Sequence, residues 1–282
     1  MPVSLPTTLD EALGVLATRP DAMVLAGGTD LMVEVNAGHR RMTDVVALDR
    51  IGTLRGWRRS ADGRTLGIGA GCTYRTLMSP EIATLVPALA QASRTVGSPQ
   101  IRETGTIGGN LATCSPAGDG LPVLSALDAE VVLASAAGGA RTIPVHEFMV
   151  GVKRTALGPG ELIAEIRVPV LDGWQGYSKV GVRNAMVIAT ASACLAVDRP
   201  ARSIRLALGS VGPTILRCAE AEAFAADAVD WAEGTVDDES VGRFGALAAA
   251  AARPIDDHRS TAAYRRHAIE VLARRLLRRA FP

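Results

Sequence analysis

The sequence predicts an α+β protein: an N-terminal domain of two α/β subdomains, over residues 1–53 and 54–170, and a C-terminal α+β domain over residues 171–282 with a small antiparallel sheet and helices. Three observations predict it. At the N-terminus, short apolar runs alternate with helical stretches, the order of an α/β unit. After about residue 170 the order changes to strands first and helices later, which suggests two layers. The chain has 282 residues and is 48% hydrophobic, enough for more than one core.

The elements follow in order. Residues 7–19 (TTLDEALGVLATR) have helical spacing, with Thr7 or Thr8 as cap and Glu11 three residues after Thr8. Residues 23–26 form a short apolar strand that runs into Gly27-Gly28. A helical stretch from Asp30 to about Ala37 leads to a strand over residues 44–48. In the second subdomain, residues 65–70 alternate like a strand, and helical structure begins at residue 74 and resumes over residues 82–96. Residues 121–135 read as a helix then a strand, and residues 162–168 as a strand ended by Pro169. Further on, residues 187–197 and 203–211 read as strands, and residues 216–224, 241–252 and 261–280 as Ala-rich helices. The last helix is basic (Arg265, Arg266, Arg274, Arg275, Arg278, Arg279). It reads as a solvated face whose arginine stems cover apolar area, with contact to a partner chain as the alternative.

Composition excludes several function classes. Lys plus Arg total 30 and Asp plus Glu total 29, so nothing pulls the chain toward nucleic acid or an anionic membrane. No window reaches the roughly 18–20 apolar residues that span a bilayer, and no leader pattern is visible, so a cytoplasmic location is expected. Cys72, Cys114, Cys194 and Cys218 are far apart and form no C-x-x-C pair, so they read as plain thiols rather than metal or cluster ligands. The histidines are equally scattered, and no metal site is expected. P-loop and G-x-S-x-G signatures are missing, and Gly67-Ile68-Gly69 lacks the third glycine of a dinucleotide fingerprint.

Two glycine-bearing loops carry the chemistry. The first comprises Leu25, Ala26, Gly27, Gly28, Thr29, Asp30 and Leu31; the second comprises Thr106, Ile107, Gly108, Gly109 and Asn110. Glycines let backbone approach a ligand, and successive N–H groups at a strand-to-helix turn make a nest for anionic oxygen. Two loops of the same chemistry about 80 residues apart fit the linked phosphates of a dinucleotide.

The strings AGGTDL (residues 26–31) and TIGGNLATCSPAGDGLPVLSALDAEV (residues 106–131) resemble the FAD-binding signatures of the medium subunit of the xanthine dehydrogenase and carbon monoxide dehydrogenase family. The resemblance continues through GELIAEIRVP (residues 160–169), residues 177–183 and the C-terminal helix, and so covers nearly the whole chain. It implies a fold of the PCMH/VAO-like type and a noncovalent FAD held between the two loops. It further implies that Thr113 adds a hydroxyl near phosphate or ribityl, and that Asp119 accepts hydrogen bonds from ribityl or ribose hydroxyls. Ile163 would present backbone to the nucleotide end, and Lys179 would place a cation near the isoalloxazine ring. On residue type alone, Asp119 reads also as a helix cap and Lys179 as a surface lysine.

The resemblance implies a flavoprotein subunit of a molybdenum hydroxylase, with no catalytic acid or base of its own. The [2Fe–2S] clusters and molybdopterin would lie on small and large partner subunits, in a dimer of heterotrimers, and the acceptor would be NAD, a quinone or oxygen. A self-sufficient flavin oxidoreductase and an assembly subunit that has lost flavin are the alternatives. This chain departs from the family pattern at residues 184–189 (NAMVIA), which hold neither acid nor aromatic, so that the flavin face there would be apolar, at Cys114, and at Val96, where some relatives stack an aromatic on adenine.

Overall fold

The computed structural model describes residues 2–282. Its first unit has three short parallel strands, β1 (Val3–Ser4), β2 (Met23–Leu25) and β3 (Val45–Ala47), in the order β1-β3-β2. Helices α1 (Leu9–Thr18) and α2 (Leu31–Asn36) connect them. Thr8 caps α1 by accepting from the Glu11 N–H, and the Glu11 carboxylate accepts from the Thr7 N–H at 2.7 Å. This is close to the reciprocal cap that the sequence predicts. Ala12, Leu13 and Leu16 of α1 pack in one cluster with Val46 and Ile51.

The second unit runs through β4 (Trp57–Arg59), β5 (Thr65–Gly69) and six short helices: α3 (Tyr74–Leu77), α4 (Pro80–Leu85), α5 (Pro87–Thr95), α6 (Pro99–Thr104), α7 (Ile107–Thr113) and α8 (Gly120–Ala126). It continues with β6 (Glu130–Ser135), β7 (Gly139–Pro144), α9 (Val145–Phe148), the hairpin β8 (Met149–Gly151) and β9 (Arg154–Thr155), and β10 (Leu162–Pro169). Its five-stranded sheet, β4-β5-β10-β6-β7, is antiparallel throughout. The helix expected over residues 82–96 is two helices. Pro87 has no N–H and pushes Val86 out of helical geometry, to φ −136° and ψ 69°. Pro87 then starts α5. Ser98 caps α6 with Pro99 at its first position, a Ser-Pro start that the sequence reading passed over.

The C-terminal domain has an antiparallel sheet of β11 (Gln175–Val180), β12 (Ala191–Asp198), β13 (Ser203–Gly209) and β14 (Leu216–Arg217), in that order. Helices α10 (Ala219–Ala228), α11 (Asp238–Ala251) and α12 (Ala262–Ala280) complete it. Strand β12 starts four residues later than expected, and residues 216–217 pair with β13 before the helix begins. Alternate residues of β12 enter two different cores. Ala191, Ala193, Leu195 and Val197 pack with α11 and α12, while Cys194 and Ala196 join the N-terminal domain's core, where α8 sits. Burial on both faces explains the unbroken apolar run in the sequence, since a strand with one wet face would alternate.

One arginine of the basic helix does not face solvent. Arg265 is 4% exposed and donates to the Thr190 and Ser210 carbonyls and to the Asp257 carboxylate, at 2.7, 2.9 and 2.7 Å. The Asp257 carboxyl is lowered to about 2, chiefly by the Arg259 N–H it accepts from, with Arg265 assisting. Among the described residues no helix is long and apolar enough to cross a membrane.

Candidate functional site

A cleft of about 1000 Å³ lies where the first unit, the second unit and residues 186–188 meet. It is at the upper end of the size range for small-molecule sites. Both glycine loops line it, so folding unites segments about 80 residues apart.

The first loop leaves β2 at Leu25 and enters α2 at Leu31. Gly27 allows close packing here, because a Cβ on it would overlap the Thr104 carbonyl. Gly28 has φ +70°, the left-handed region that glycine reaches freely. Among the described residues, no protein acceptor takes the N–H groups of residues 26–30. The Thr29 hydroxyl also has no hydrogen-bond partner among them. Five successive free donors beside a cleft form an anion nest.

The second loop is different, and the expectation of two chemically alike loops is corrected. Thr106 caps α7, and its hydroxyl accepts from the Gly109 N–H at 3.0 Å. The Ile107 N–H donates to the Cys72 carbonyl, Gly108 N–H to the Ala70 carbonyl and Asn110 N–H to the Thr106 carbonyl. Every N–H of this first helical turn is therefore satisfied within the protein. Gly108 is needed for packing, because a Cβ there would lie 2.6 Å from Ala70 Cβ and carbonyl oxygen. Gly109 is not needed in that way: its Cβ would meet only Thr106 Oγ1 at 3.0 Å, and the residue lines the cleft. Glycine in a helix costs about 1 kcal/mol relative to alanine, so the space beside Gly109 is maintained against local propensity.

Of the other expected residues, Thr113, Asp119 and Ile163 line the cleft. Ile107 does not: its side chain is fully buried in the core. Thr113 Oγ1 reaches Asp30 Oδ2 at 3.4 Å and ties the two loops together. Strand β10 extends past the end of β5, so Leu162 and Ile163 are paired on the β6 side only. That leaves a strand edge at the cleft wall. The Asn110 Oδ1 atom is buried without a partner among the described residues.

Asp119 does not cap α8 with its side chain. Its carboxylate accepts from the Tyr177 hydroxyl at 2.8 Å, from Lys179 Nζ at 2.6 Å and from the Thr95 hydroxyl at 3.2 Å. The Lys179 side chain is 8% exposed and lies behind the cleft rather than on its surface, so the surface-lysine reading is overturned. Its charge is met by Asp119 at once. Burial, then the Asp119 charge, pushes the Tyr177 hydroxyl well above the usual tyrosine range, and Tyr74 rises for the same two reasons.

Two features have no signal in the sequence. Tyr177 gave no local signal, since its partner lies 58 positions away. Glu34 on α2 and Lys153 in the β8–β9 turn bridge the cleft at 2.7 Å across 119 positions. Met186, Val187 and Ile188 line the cleft from the C-terminal domain. This agrees with the apolar flavin face that the resemblance implies at residues 184–189. All four cysteines are free and buried, and the described residues hold no group of three His, Cys, Asp or Glu side chains placed for a metal.

Free donors, a kept space beside Gly109 and the cleft's size fit a dinucleotide, and define a nucleotide-binding domain joined to an α+β module. Comparison with known proteins names the class. Residues 1–171 match the family described as FAD binding domain in molybdopterin dehydrogenase, and residues 177–280 match the CO dehydrogenase flavoprotein C-terminal domain. The glyceraldehyde dehydrogenase medium chain of Sulfolobus acidocaldarius is 32% identical, over 94% of this chain and 92% of its own. The carbon monoxide dehydrogenase medium chain of Hydrogenophaga pseudoflava is 33% identical over 75% of each. The solved structure of carbon monoxide dehydrogenase from Oligotropha carboxidovorans superposes with a TM-score of 0.89 at 31% identity, covering 99% of this chain and 97% of that one. The chain belongs to the FAD-binding medium-subunit family of the xanthine dehydrogenase and carbon monoxide dehydrogenase enzymes. It is a flavoprotein subunit of a multi-subunit oxidoreductase, and FAD is its cofactor.

Proposed function

We propose that this chain is the electron-relay subunit of a cytoplasmic molybdenum hydroxylase. In this reading a small subunit with [2Fe–2S] clusters and a large molybdopterin subunit are its partners, in a dimer of heterotrimers. Electrons released at molybdenum leave to NAD, a quinone or oxygen. Noncovalently bound FAD supplies the redox centre between donor and acceptor.

The chain's own residues bind and orient. The free N–H groups of residues 26–30 and the Thr29 hydroxyl hold the pyrophosphate, the observation that carries the reading. Gly109 leaves room for the phosphates from the other side, and Asn110 and Thr113 add polar side chains. The free edge at Ile163 offers backbone groups to the nucleotide end. Asp119 offers carboxylate lone pairs to sugar or ribityl hydroxyls, and Lys179 holds that carboxylate in place.

An absorbance spectrum of the purified chain, with acid release of the ligand and its mass, tests this. A flavin spectrum with free FAD in the supernatant is expected, and no turnover of purines, aldehydes or carbon monoxide by the chain alone. A colourless chain that takes up no added FAD would overturn the site; substrate turnover by the isolated chain would overturn the relay.

A further inference from the structure

The connection between β11 and β12 projects over the cleft. Val182, Met186 and Ile188 on it are 68%, 55% and 51% exposed, yet residues 186–188 line the cleft. Its own bonds are local: Arg183 donates to the carbonyls of Ala185 and Met186, within the loop. Two buried cations reach it from outside: Arg265 donates to the Thr190 carbonyl at its far end, and Lys179 reaches its middle. Lys179 Nζ donates to the Val187 carbonyl at 3.1 Å, to the Thr95 carbonyl at 3.0 Å and to Asp119 at 2.6 Å. Val187 also lies against Gly181, where a Cβ would be 2.6 Å from its Cγ1.

We propose that Lys179 is a latch. Through one ammonium group it fastens the loop at Val187 to the N-terminal domain at Asp119 and Thr95, and so fixes the apolar wall of the cleft. Three donors on one nitrogen meet three acceptors on three elements, which is the full hydrogen-bonding capacity of a lysine. Both charges are nearly dry, so removing one partner leaves the other uncompensated. Lys179 is in this sense a positioning residue: it acts on the cleft through Val187. Tyr177 supports it by holding the second carboxylate oxygen of Asp119.

The proposal's consequence for cofactor retention rests on the FAD reading; the latch itself does not. The test is limited trypsin digestion of the full-length chain after Arg183, with and without FAD, for Lys179→Gln, which keeps the Asp119 carboxylate, and for the double variant Lys179→Gln/Asp119→Asn. Loosening a loop held by charge-assisted bonds of this kind should speed cleavage after Arg183 by roughly ten- to hundredfold. Cleavage after Arg205 in β13 should stay slow, and FAD should dissociate faster from Lys179→Gln. If Lys179→Gln fails to fold, the double variant, which leaves no buried charge unpaired, gives the digestion answer. Unchanged cleavage after Arg183 in a folded variant overturns the latch. Faster cleavage in Lys179→Gln when the wild-type chain takes up no FAD supports the latch and counts against the FAD site instead.

Discussion

Residues 26–30 and the first turn of α7 carry the same paired glycines, yet they distribute their backbone donors in opposite ways. Among the described residues, the N–H groups of the first loop have no protein acceptor; in the second, every one has. The reason is the neighbouring structure. The second loop lies along the end of β5 and the turn after it, where Ala70 and Cys72 offer carbonyls. The first loop turns away from its sheet after Leu25, and nothing replaces the lost partners. A glycine pair in sequence therefore states only that backbone comes close to something. Whether that something is ligand or protein is decided by what the fold places alongside.

The comparison can be broken by substitution. The largest effects are expected for Gly28→Val and Gly109→Val. A β-branched side chain against phosphate displaces charge-assisted bonds, so FAD affinity should fall at least roughly ten- to hundredfold. Gly28→Val also forces a left-handed backbone on a bulky residue, at about 1–2 kcal/mol, whereas Gly109→Val should leave the apo-chain's unfolding nearly unchanged. Flavin content equal to wild type in both variants would sink the two-loop site.

Gly108→Ala should act on the fold first. Its Cβ would press into Ala70, an overpacking cost of about 1–3 kcal/mol. The urea midpoint of the apo-chain should drop accordingly. If stability holds and only FAD is lost, Gly108 belongs with the ligand and the contrast between the glycines fails.

The smallest effect concerns the Glu34–Lys153 bridge beside the first loop. The hydrogen bond from Lys153 holds the Glu34 carboxyl below its ordinary value of 4.5. A carboxyl lowered in the folded state stabilises fully above that ordinary value and loses its contribution as pH falls through the lower one. The contribution of this bridge to the chain's stability should therefore be constant from neutral pH down to about 4.5 and fade below it, and Glu34→Gln should lack that component. Urea midpoints of both chains across this pH range read the difference; a gap between them that does not change with pH would remove the bridge.

Much of the fold was legible because its signals are local. Thr8 and Glu11 marked the start of α1, and the alternating residues 65–70 marked β5. Where the reading failed, a non-local partner or a proline intervened. Val86 broke an expected helix because Pro87 follows it. Residues 187–190 look like the start of a strand, but Lys179 and Gly181 draw Val187 aside before β12 begins at Ala191. At the site, the glycine strings identified the cleft. The sequence had no means of showing that Lys179, Asp119 and Tyr177 form one buried cluster, because no pattern within a window of residues encodes a contact 60 positions away.

By itself, then, the sequence determined the α+β class, the two glycine loops that meet at the cleft, and the family to which those strings belong. These follow from backbone freedom at glycine, from apolar periodicity and from an ordered string of residues, all properties of a linear chain. Only the tertiary structure decided which loop keeps its donors free, that Ile107 turns into the core, and that Lys179 is a buried clasp rather than an exposed cation. Each of those depends on a hydrogen-bond acceptor or a carboxylate supplied by a distant segment. Burial makes such partners obligatory, while leaving no mark on the residues beside them in sequence.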